Sequence, residues 1–202
     1  MKHLIVDLID YILYIKSERI LIYSYFIRVR VILILNVIEK LKNEHICIIN
    51  YDRLLKIINK EVEQKCDETS YIIVFDPENE FELPIKYNLV TSATKINGKF
   101  DEIIKIDKVL SNLYKAENKS GNIFLFKITN DRIIEEQLKP IYEEILDLLK
   151  EFGGEASLTD IVNIISKRHN MSRDSVRDEL VFLKNLGLID IKNKKVIITR
   201  LI

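Results

Sequence analysis

Glycine is scarce in this chain of 202 residues: it occurs five times, and the first of the five is Gly98. Loops that bind phosphate groups through backbone N–H groups depend on glycine, because it reaches positive φ and leaves room for the anion. Proline (three residues) and tryptophan (none) are also rare. An ordinary glycine-rich phosphate loop is therefore excluded from the first half of the chain.

Cysteine and histidine are too few and too scattered to form a recognisable site. The two cysteines, Cys47 and Cys66, lack the C-x-x-C spacing of metal and redox sites, and His3, His45 and His169 are far apart in sequence. We therefore expect no disulfide framework, no metal and no cofactor. Two unpatterned cysteines are typical of a reduced intracellular protein, and we predict a cytoplasmic location.

Neither the net charge nor any apolar run points to a global polyanion-binding surface or a membrane. Lys and Arg (31) balance Asp and Glu (31), so any basic surface must be local. The run 20–38 is long and apolar, but Arg28 and Arg30 near its middle would each cost about 2.5–3.5 kcal/mol in a bilayer. Asp7 and Asp10 interrupt the N-terminal apolar stretch, which excludes a secretory signal there. Abundant Ile, Lys and Glu with little Gln resembles thermophile, archaeal-like usage.

Apolar strands and helical patterns alternate through the first part of the chain. After a helical pattern over 1–15, we predict strands at 19–23, 45–50, 71–75 and 89–91, and helices at 29–42 and 52–65. The strands are apolar throughout, which is typical of a parallel sheet covered by helices. We predict edge strands at 101–107 and 113–116, the second forming a hairpin with 123–128. The fold class is therefore α/β.

Composition changes near residue 134. An acidic amphipathic helix beginning near Pro140 is followed by two capped helices, over 157–169 and 172–186, and by a hairpin over 188–199. We therefore predict two domains, 1–133 and 134–202.

The order of three helices and a basic hairpin, with the phrase SRDSVRDELVFLKNLGLIDI at 172–191, resembles winged helix-turn-helix domains. From residue 156 onward nine Lys/Arg stand against five Asp/Glu, a balance of +4. The resemblance implies DNA binding, with the start of the third helix in the major groove and lysines on the phosphates. The candidate groove residues are Ser172, Arg173, Ser175 and Arg177. The candidate backbone-binding residues are Lys167, Arg168, Lys192, Lys194 and Lys195. The acids Asp174, Asp178 and Glu179 on the same helix leave protein binding as the alternative.

The N-terminal part resembles the core of RecA/RadA/KaiC-type recombinase ATPases. The segment LIDYILYIKSERILIYSY is similar to that family's entry into its first core strand, and YIIVFD at 71–76 is similar to its second nucleotide motif. The family's G-x-x-x-x-G-K-[ST] would fall on 24–31. There Ser24 and Val29 replace glycines, Arg30 stands at the lysine position and Val31 replaces the Mg²⁺-binding hydroxyl.

These substitutions imply a degenerate nucleotide site made of Ser24, Arg30, Val31 and Asp76, with no ATPase activity. We expect Asp76 to be a strand-end residue and not a metal ligand. The expected architecture is a RecA-like, mostly parallel sheet covered by helices, followed by a small winged helix.

The sequence supports three hypotheses of function. The first is a non-catalytic RecA-like paralogue that binds DNA and assists recombination, repair or replication. The second is a transcriptional regulator whose α/β domain senses a signal or dimerises. The third is an interaction scaffold without nucleic acid. The expected partners are double-stranded DNA and either a recombinase-family protein or a second copy of the chain.

Overall fold

The computed structural model describes residues 7–16, 19–58 and 61–199. These residues divide into two compact units, unit 1 covering 1–136 and unit 2 covering 137–202. Each unit has its own sheet, helices and buried apolar side chains.

Unit 1 is an α/β structure, as the alternating sequence pattern predicts. Its described helices are α1 (Leu8–Tyr14), α2 (Ile27–Lys40) and α3 (Tyr51–Ile58). Its described strands are β1 (Ile20–Tyr23), β2 (Ile46–Ile49), β3 (Tyr71–Phe75), β4 (Leu89–Ser92), β5 (Glu102–Lys108), β6 (Leu113–Asn118), β7 (Ile123–Thr129) and β8 (Arg132–Glu136).

The eight strands form one sheet in the order β2-β3-β4-β1-β5-β6-β7-β8. The pairs from β2 to β5 are parallel, and β5 to β8 form an antiparallel meander. β1 therefore lies between β4 and β5, inside the parallel part of the sheet. The carboxyl ends of β1, β3 and β4 consequently meet at one edge of the sheet.

The central strand β1 is apolar throughout because both of its faces are covered. Ile20 and Ile22 belong to the larger apolar cluster with α1 and α2, whereas Leu21 packs with Val74 and Val90 on the opposite face. The helix α2 is buried along most of its length, which explains its nearly continuous apolar sequence.

Unit 1 departs from the predicted pattern at α3, at the strands expected on the sheet edge, and at β8. The helix expected over 52–65 is described as far as Ile58, residues 59–60 lie outside the described residues, and 61–66 has no regular structure. The two strands expected at the edge, β5 and β6, are both interior, because β5 pairs with β1 and β6, and β6 pairs with β5 and β7. The strand β8 was not predicted: its tight turn is formed by Asn130 and Asp131 at φ 48° and 60°, without the glycine that signals such hairpins. It also extends past the expected domain boundary at 133.

The prediction of two reduced cysteines is wrong, because Cys47 and Cys66 form a disulfide. Cys47 lies in the edge strand β2, and the segment that contains Cys66 runs back along the outer side of this strand. The Lys65 N–H donates to the Ile46 carbonyl (2.9 Å). The two cysteines are 19 residues apart in sequence, and only this return path brings them together.

Among the described helices, none combines the length and the apolar character needed to cross a bilayer.

Unit 2 consists of three helices and a small antiparallel sheet. Its described elements are α4 (Pro140–Glu151), β9 (Glu155–Ser157), α5 (Leu158–His169), α6 (Arg173–Leu186), β10 (Ile189–Lys192) and β11 (Lys195–Ile198). The sheet order is β10-β11-β9. The strand β9 was not predicted, since three residues are too few for a periodic signal.

Most helix ends of unit 2 follow their sequence signals, but the predicted side-chain cap of α5 does not form: Ser157 is at the N-cap position, and its hydroxyl accepts no hydrogen bond from the described first turn. The α5 helix ends at Asn170 in the left-handed region (φ 51°). The predicted cap of α6 is confirmed: the Ser172 hydroxyl accepts a hydrogen bond from the Ser175 N–H (3.1 Å). Gly187 ends α6 at φ 76°, a conformation that favours glycine. The start of α6 is therefore fixed by local contacts.

Ile34→Ala should lower the free energy of unfolding by about 2–5 kcal/mol, because it leaves a cavity under α2. Ile34 is 0% exposed, whereas Ile27 on the same helix is 43% exposed. The matched change Ile27→Ala should therefore cost about 1 kcal/mol or less. Urea denaturation followed by circular dichroism measures both. Equal losses in the two variants would contradict this placement of α2.

Candidate functional site

The predicted phosphate-loop segment of unit 1 is not a phosphate loop. Only Ser24, Tyr25 and Phe26 separate β1 from α2, and the helix already begins at Ile27. Arg30 and Val31 therefore lie inside the helix, where their backbone N–H groups are directed along its axis. A cradle of inward-directed N–H groups requires a longer loop with glycine torsions.

Ser24 fastens this short connection to the sheet. Its side chain is buried, and its hydroxyl donates to the Ile106 carbonyl in β5 (3.0 Å). The same oxygen accepts from the Phe26 N–H (3.4 Å). Tyr25 is 83% exposed, whereas Phe26 packs edge-on against Tyr114. Side chains thus occupy the connection at the carboxyl end of the central strand.

Two of the predicted site residues form an ion pair. The Arg30 guanidinium donates a short hydrogen bond to the Asp76 carboxylate. The Arg30 side chain is 3% exposed and the Asp76 side chain 29%. Val31, the third predicted residue, is also buried, within the apolar cluster of unit 1. The charges expected at the lysine and aspartate positions of a nucleotide site therefore neutralise each other.

Asp76 is held by its backbone as well as by Arg30. It follows β3 directly, adopts φ 48°, and donates its N–H to the Thr91 carbonyl (2.7 Å). Two buried polar atoms beside this pair, Arg30 Nε and Thr91 Oγ1, have no hydrogen-bond partner among the described residues. Unsatisfied buried groups of this kind cost about 1–3 kcal/mol each.

A shallow pocket of about 320 Å³ lies next to Asp76 at the same sheet edge. It is lined by Arg53, Asp76, Pro77, Glu78, Ser92, Ala93 and Thr94. Its arginine is engaged by its own neighbours: Arg53 donates to the Asp76 carbonyl (2.8 Å), to Glu78 (3.1 Å) and to Glu82 (3.2 Å). Sequence reasoning missed Arg53, because its position on α3 carries no motif. Across the described ranges, no cluster of His, Cys, Asp and Glu suits a metal ion.

The predicted DNA-binding residues of unit 2 are all exposed, and they lie on three adjoining elements. Lys167 and Arg168 are in the last turn of α5, and Ser172 caps α6. Arg173, Ser175 and Arg177 occupy the first turns of α6. Lys192, Lys194 and Lys195 surround the turn between β10 and β11.

The hairpin turn concentrates positive charge in an unusual conformation. Asn193 and Lys194 both have positive φ (50° and 61°), and Lys192 lies directly opposite Lys195 in the ladder. Like charges in a cross-strand pair destabilise a hairpin, and a lysine at positive φ is uncommon. Asp190 pairs with Lys192 and Glu155 pairs with Lys195, which partly offsets the repulsion.

The candidate cations of unit 2 differ in how they are paired. Four of them have acidic neighbours: Arg168 with Glu144, Arg177 with Asp174, Lys192 with Asp190 and Lys195 with Glu155. The other three, Lys167, Arg173 and Lys194, make no ion pair with any residue that the structure describes. Glu144 and Glu155 were not foreseen as partners, because they lie 24 and 40 residues from their cations.

Glu144 joins α4 to the end of α5. It accepts hydrogen bonds from Arg168 (2.9 Å) and His169 (2.6 Å), and these hold the pKa of its carboxyl below the ordinary value. The acidic helix α4 thus neutralises part of the positive charge at the end of α5.

Asp76→Asn should destabilise the protein by about 3–5 kcal/mol, because it leaves the buried Arg30 without a counter-charge. Arg30→Met should cost less, about 1–3 kcal/mol, since water reaches part of the Asp76 carboxylate. The double variant should be more stable than Asp76→Asn alone, because it buries no unpaired charge. Urea denaturation of all four proteins measures the coupling energy. Additive losses would show that the pair does not interact.

Glu144→Gln should weaken the junction of α4 and α5 at pH 5.5, and the difference from the wild-type protein should shrink as pH falls through the folded pKa of Glu144. A carboxyl whose folded pKa is depressed stabilises the fold above its unfolded pKa, and this contribution disappears as pH falls through the folded pKa. The expected loss at pH 5.5 is about 1 kcal/mol or less for a partly exposed pair. The urea concentration at which α4 and α5 lose amide protection measures it. A difference that does not shrink as pH falls would contradict the ionic origin.

Searches of protein-family models, curated proteins and solved structures for relatives of this chain find no match.

Proposed function

We propose that this protein binds double-stranded DNA through unit 2, used as a winged helix-turn-helix, and that unit 1 is a RecA-like core without ATPase activity. On this proposal the protein is an accessory factor in DNA recombination, repair or replication. The observation that carries it is the exposed basic set formed by the start of α6 and the β10–β11 turn.

The order of elements in unit 2 supports the winged-helix assignment. A helix, a short strand, two helices and a hairpin follow one another, and the short strand β9 pairs with β11 to give a three-stranded sheet. In helix-turn-helix proteins the second helix of the motif enters the major groove with its N-terminal residues on base edges. Here that helix is α6, which presents Arg173 and Arg177.

The charge distribution of unit 2 supports contact with phosphates. Lys167, Arg173 and Lys194 have no acidic partner among the described residues, so they can bind phosphates without breaking an ion pair. Each such contact releases counterions from DNA, which makes binding strongly dependent on salt. The paired cations would exchange a carboxylate for a phosphate at smaller gain.

The geometry of unit 1 supports the absence of ATP chemistry. An ATPase of the P-loop type needs a glycine loop, a lysine on the phosphates, and Mg²⁺ held by a Ser/Thr hydroxyl and an aspartate. In this chain the helix begins too early for such a loop, Arg30 is buried on Asp76, and Val31 offers no hydroxyl. The RecA-like origin is supported by the order of the parallel strands, which brings the ends of β1 and β3 to one edge.

A protein partner is the second candidate for the surface of α6. Its three basic residues, Arg173, Arg177 and Lys184, are balanced by Asp174, Asp178 and Glu179. Val181 on the same helix is 50% exposed. Cancelling charges and an exposed valine are features that favour contact with a protein over contact with DNA.

Arg173→Ala and Lys194→Ala should each weaken duplex binding by the full chain about three- to tenfold. Each should also reduce the slope of log K against log salt by about 1, because one phosphate contact is lost. Fluorescence anisotropy on a labelled duplex between about 0.05 and 0.2 M salt measures both quantities.

Lys150→Ala is the matched control, since Lys150 is an exposed cation on the acidic helix α4 and its loss changes net charge equally. It should leave the affinity within about twofold. Equal effects of all three variants would indicate attraction by net charge alone. Absence of duplex binding by the wild-type protein would favour the protein partner, and a sequence-specific footprint would favour a transcriptional regulator. DNA-dependent ATP hydrolysis would overturn the assignment of unit 1.

A further inference from the structure

The outer edge of the unit 1 sheet is covered by a segment that is not itself a strand. β2 is the edge strand. The backbone groups of Ile46 and Ile48 point away from its neighbour β3. The Lys65 N–H donates to the Ile46 carbonyl (2.9 Å), and the Gln64 side-chain carbonyl accepts from the Ile48 N–H (2.9 Å). The segment 61–66, here called the edge cover, thus satisfies backbone groups that would otherwise be open to another strand.

The edge cover is also attached to unit 1 at Lys65 and Val62. The Lys65 carbonyl accepts from the Ser70 hydroxyl (2.7 Å), and the Lys65 ammonium lies 3.0 Å from Nε2 of His45. The Tyr51 hydroxyl accepts from the Val62 N–H (2.8 Å) and donates to the Val62 carbonyl (3.3 Å). Glu61, Glu63 and Lys65 are exposed, whereas Val62 is partly buried against the larger apolar cluster of unit 1. The one covalent attachment of the edge cover to β2 is the disulfide from Cys66 to Cys47.

The two sulfur atoms differ in access. Cys47 is 8% exposed, whereas Cys66 belongs to the exposed class. A thiolate from solvent can therefore attack at the Cys66 side of the bond, which is the first step of thiol–disulfide exchange. The bond is placed where a reductant reaches it without unfolding the sheet.

We propose that the Cys47–Cys66 disulfide is a redox latch that holds the edge cover on β2. A dithiol reductant supplies two electrons and two protons: the S–S bond breaks, each cysteine sulfur gains a proton, and the reductant becomes a cyclic disulfide. The edge cover then leaves β2, and the outward backbone groups of Ile46 and Ile48 become available for strand pairing. The turn after it stays attached, because Asp67 remains hydrogen-bonded to Thr69 and Ser70 and paired with His45.

Amide hydrogen exchange of the full chain, oxidised and after treatment with dithiothreitol, tests the latch. Reduction should speed exchange at Ile48, Val62 and Lys65 by about tenfold or more, because these N–H groups lose their partners when the edge cover leaves. Amides of β6 and β7 should keep their protection. Alkylation after denaturation verifies that reduction has produced two thiols.

The double variant Cys47→Ala/Cys66→Ser is the control. It should match the reduced wild-type protein and should not respond to dithiothreitol. Unchanged exchange at Ile48, Val62 and Lys65 after complete reduction would overturn the latch. Failure to form the disulfide under oxidising conditions, or loss of protection throughout unit 1 on reduction, would also overturn it.

Discussion

The burial of β1 between β4 and β5 is the constraint on which the rest of unit 1 depends. Because both faces of this strand are covered, its residues must be apolar. Helices α1 and α2 contribute to the packing on one face, and Leu21 packs with Val74 and Val90 on the other. α2 is buried along most of its length. Only Ser24, Tyr25 and Phe26 lie between this strand and α2.

The short connection between β1 and α2 places Arg30 inside the helix, at the carboxyl end of the parallel strands. A buried arginine needs a counter-charge, and Asp76 is the carboxylate that supplies it. Arg30 and Asp76 thus stabilise each other, and the neighbouring Arg53 is held by the Asp76 carbonyl and by Glu82. Hydrophobic packing and an ion pair thus occupy the carboxyl end of β1, and we propose that binding takes place on the surface of unit 2 instead.

The surface of unit 2 combines fixed backbone with exchangeable charge. The caps at Ser172 and Gly187 define α6, and the tight turn at Asn193 and Lys194 defines the hairpin. Several candidate cations carry intramolecular acidic partners, so binding to a polyanion would be an exchange of ion pairs and not a simple gain. Such exchange makes affinity sensitive to both salt and the neighbouring acids. In unit 1, a disulfide joins the edge strand β2 to the segment that covers it.

The periodicity of the sequence was sufficient to predict the α/β class, the strands β1 to β4 and the three helices of unit 2, because each of these has a strong local pattern. The resemblance to a nucleotide-binding motif, and not periodicity, placed Arg30 and Asp76 in one candidate site. Their ion pair depends on the order of strands, which no local pattern records. β8 was missed because the turn before it, at Asn130 and Asp131, contains no glycine. β9 was missed because it has only three residues.

The sequence by itself determined most of the helices and strands, and that no glycine loop exists before Gly98. Only the tertiary structure decided that Cys47 meets Cys66, that Arg30 is neutralised by Asp76, and that Arg168 is paired with Glu144. The physical reason is range: capping and periodicity act between residues a few positions apart. These three contacts join residues 19 or more positions apart, which only the packing of the sheet and helices brings together.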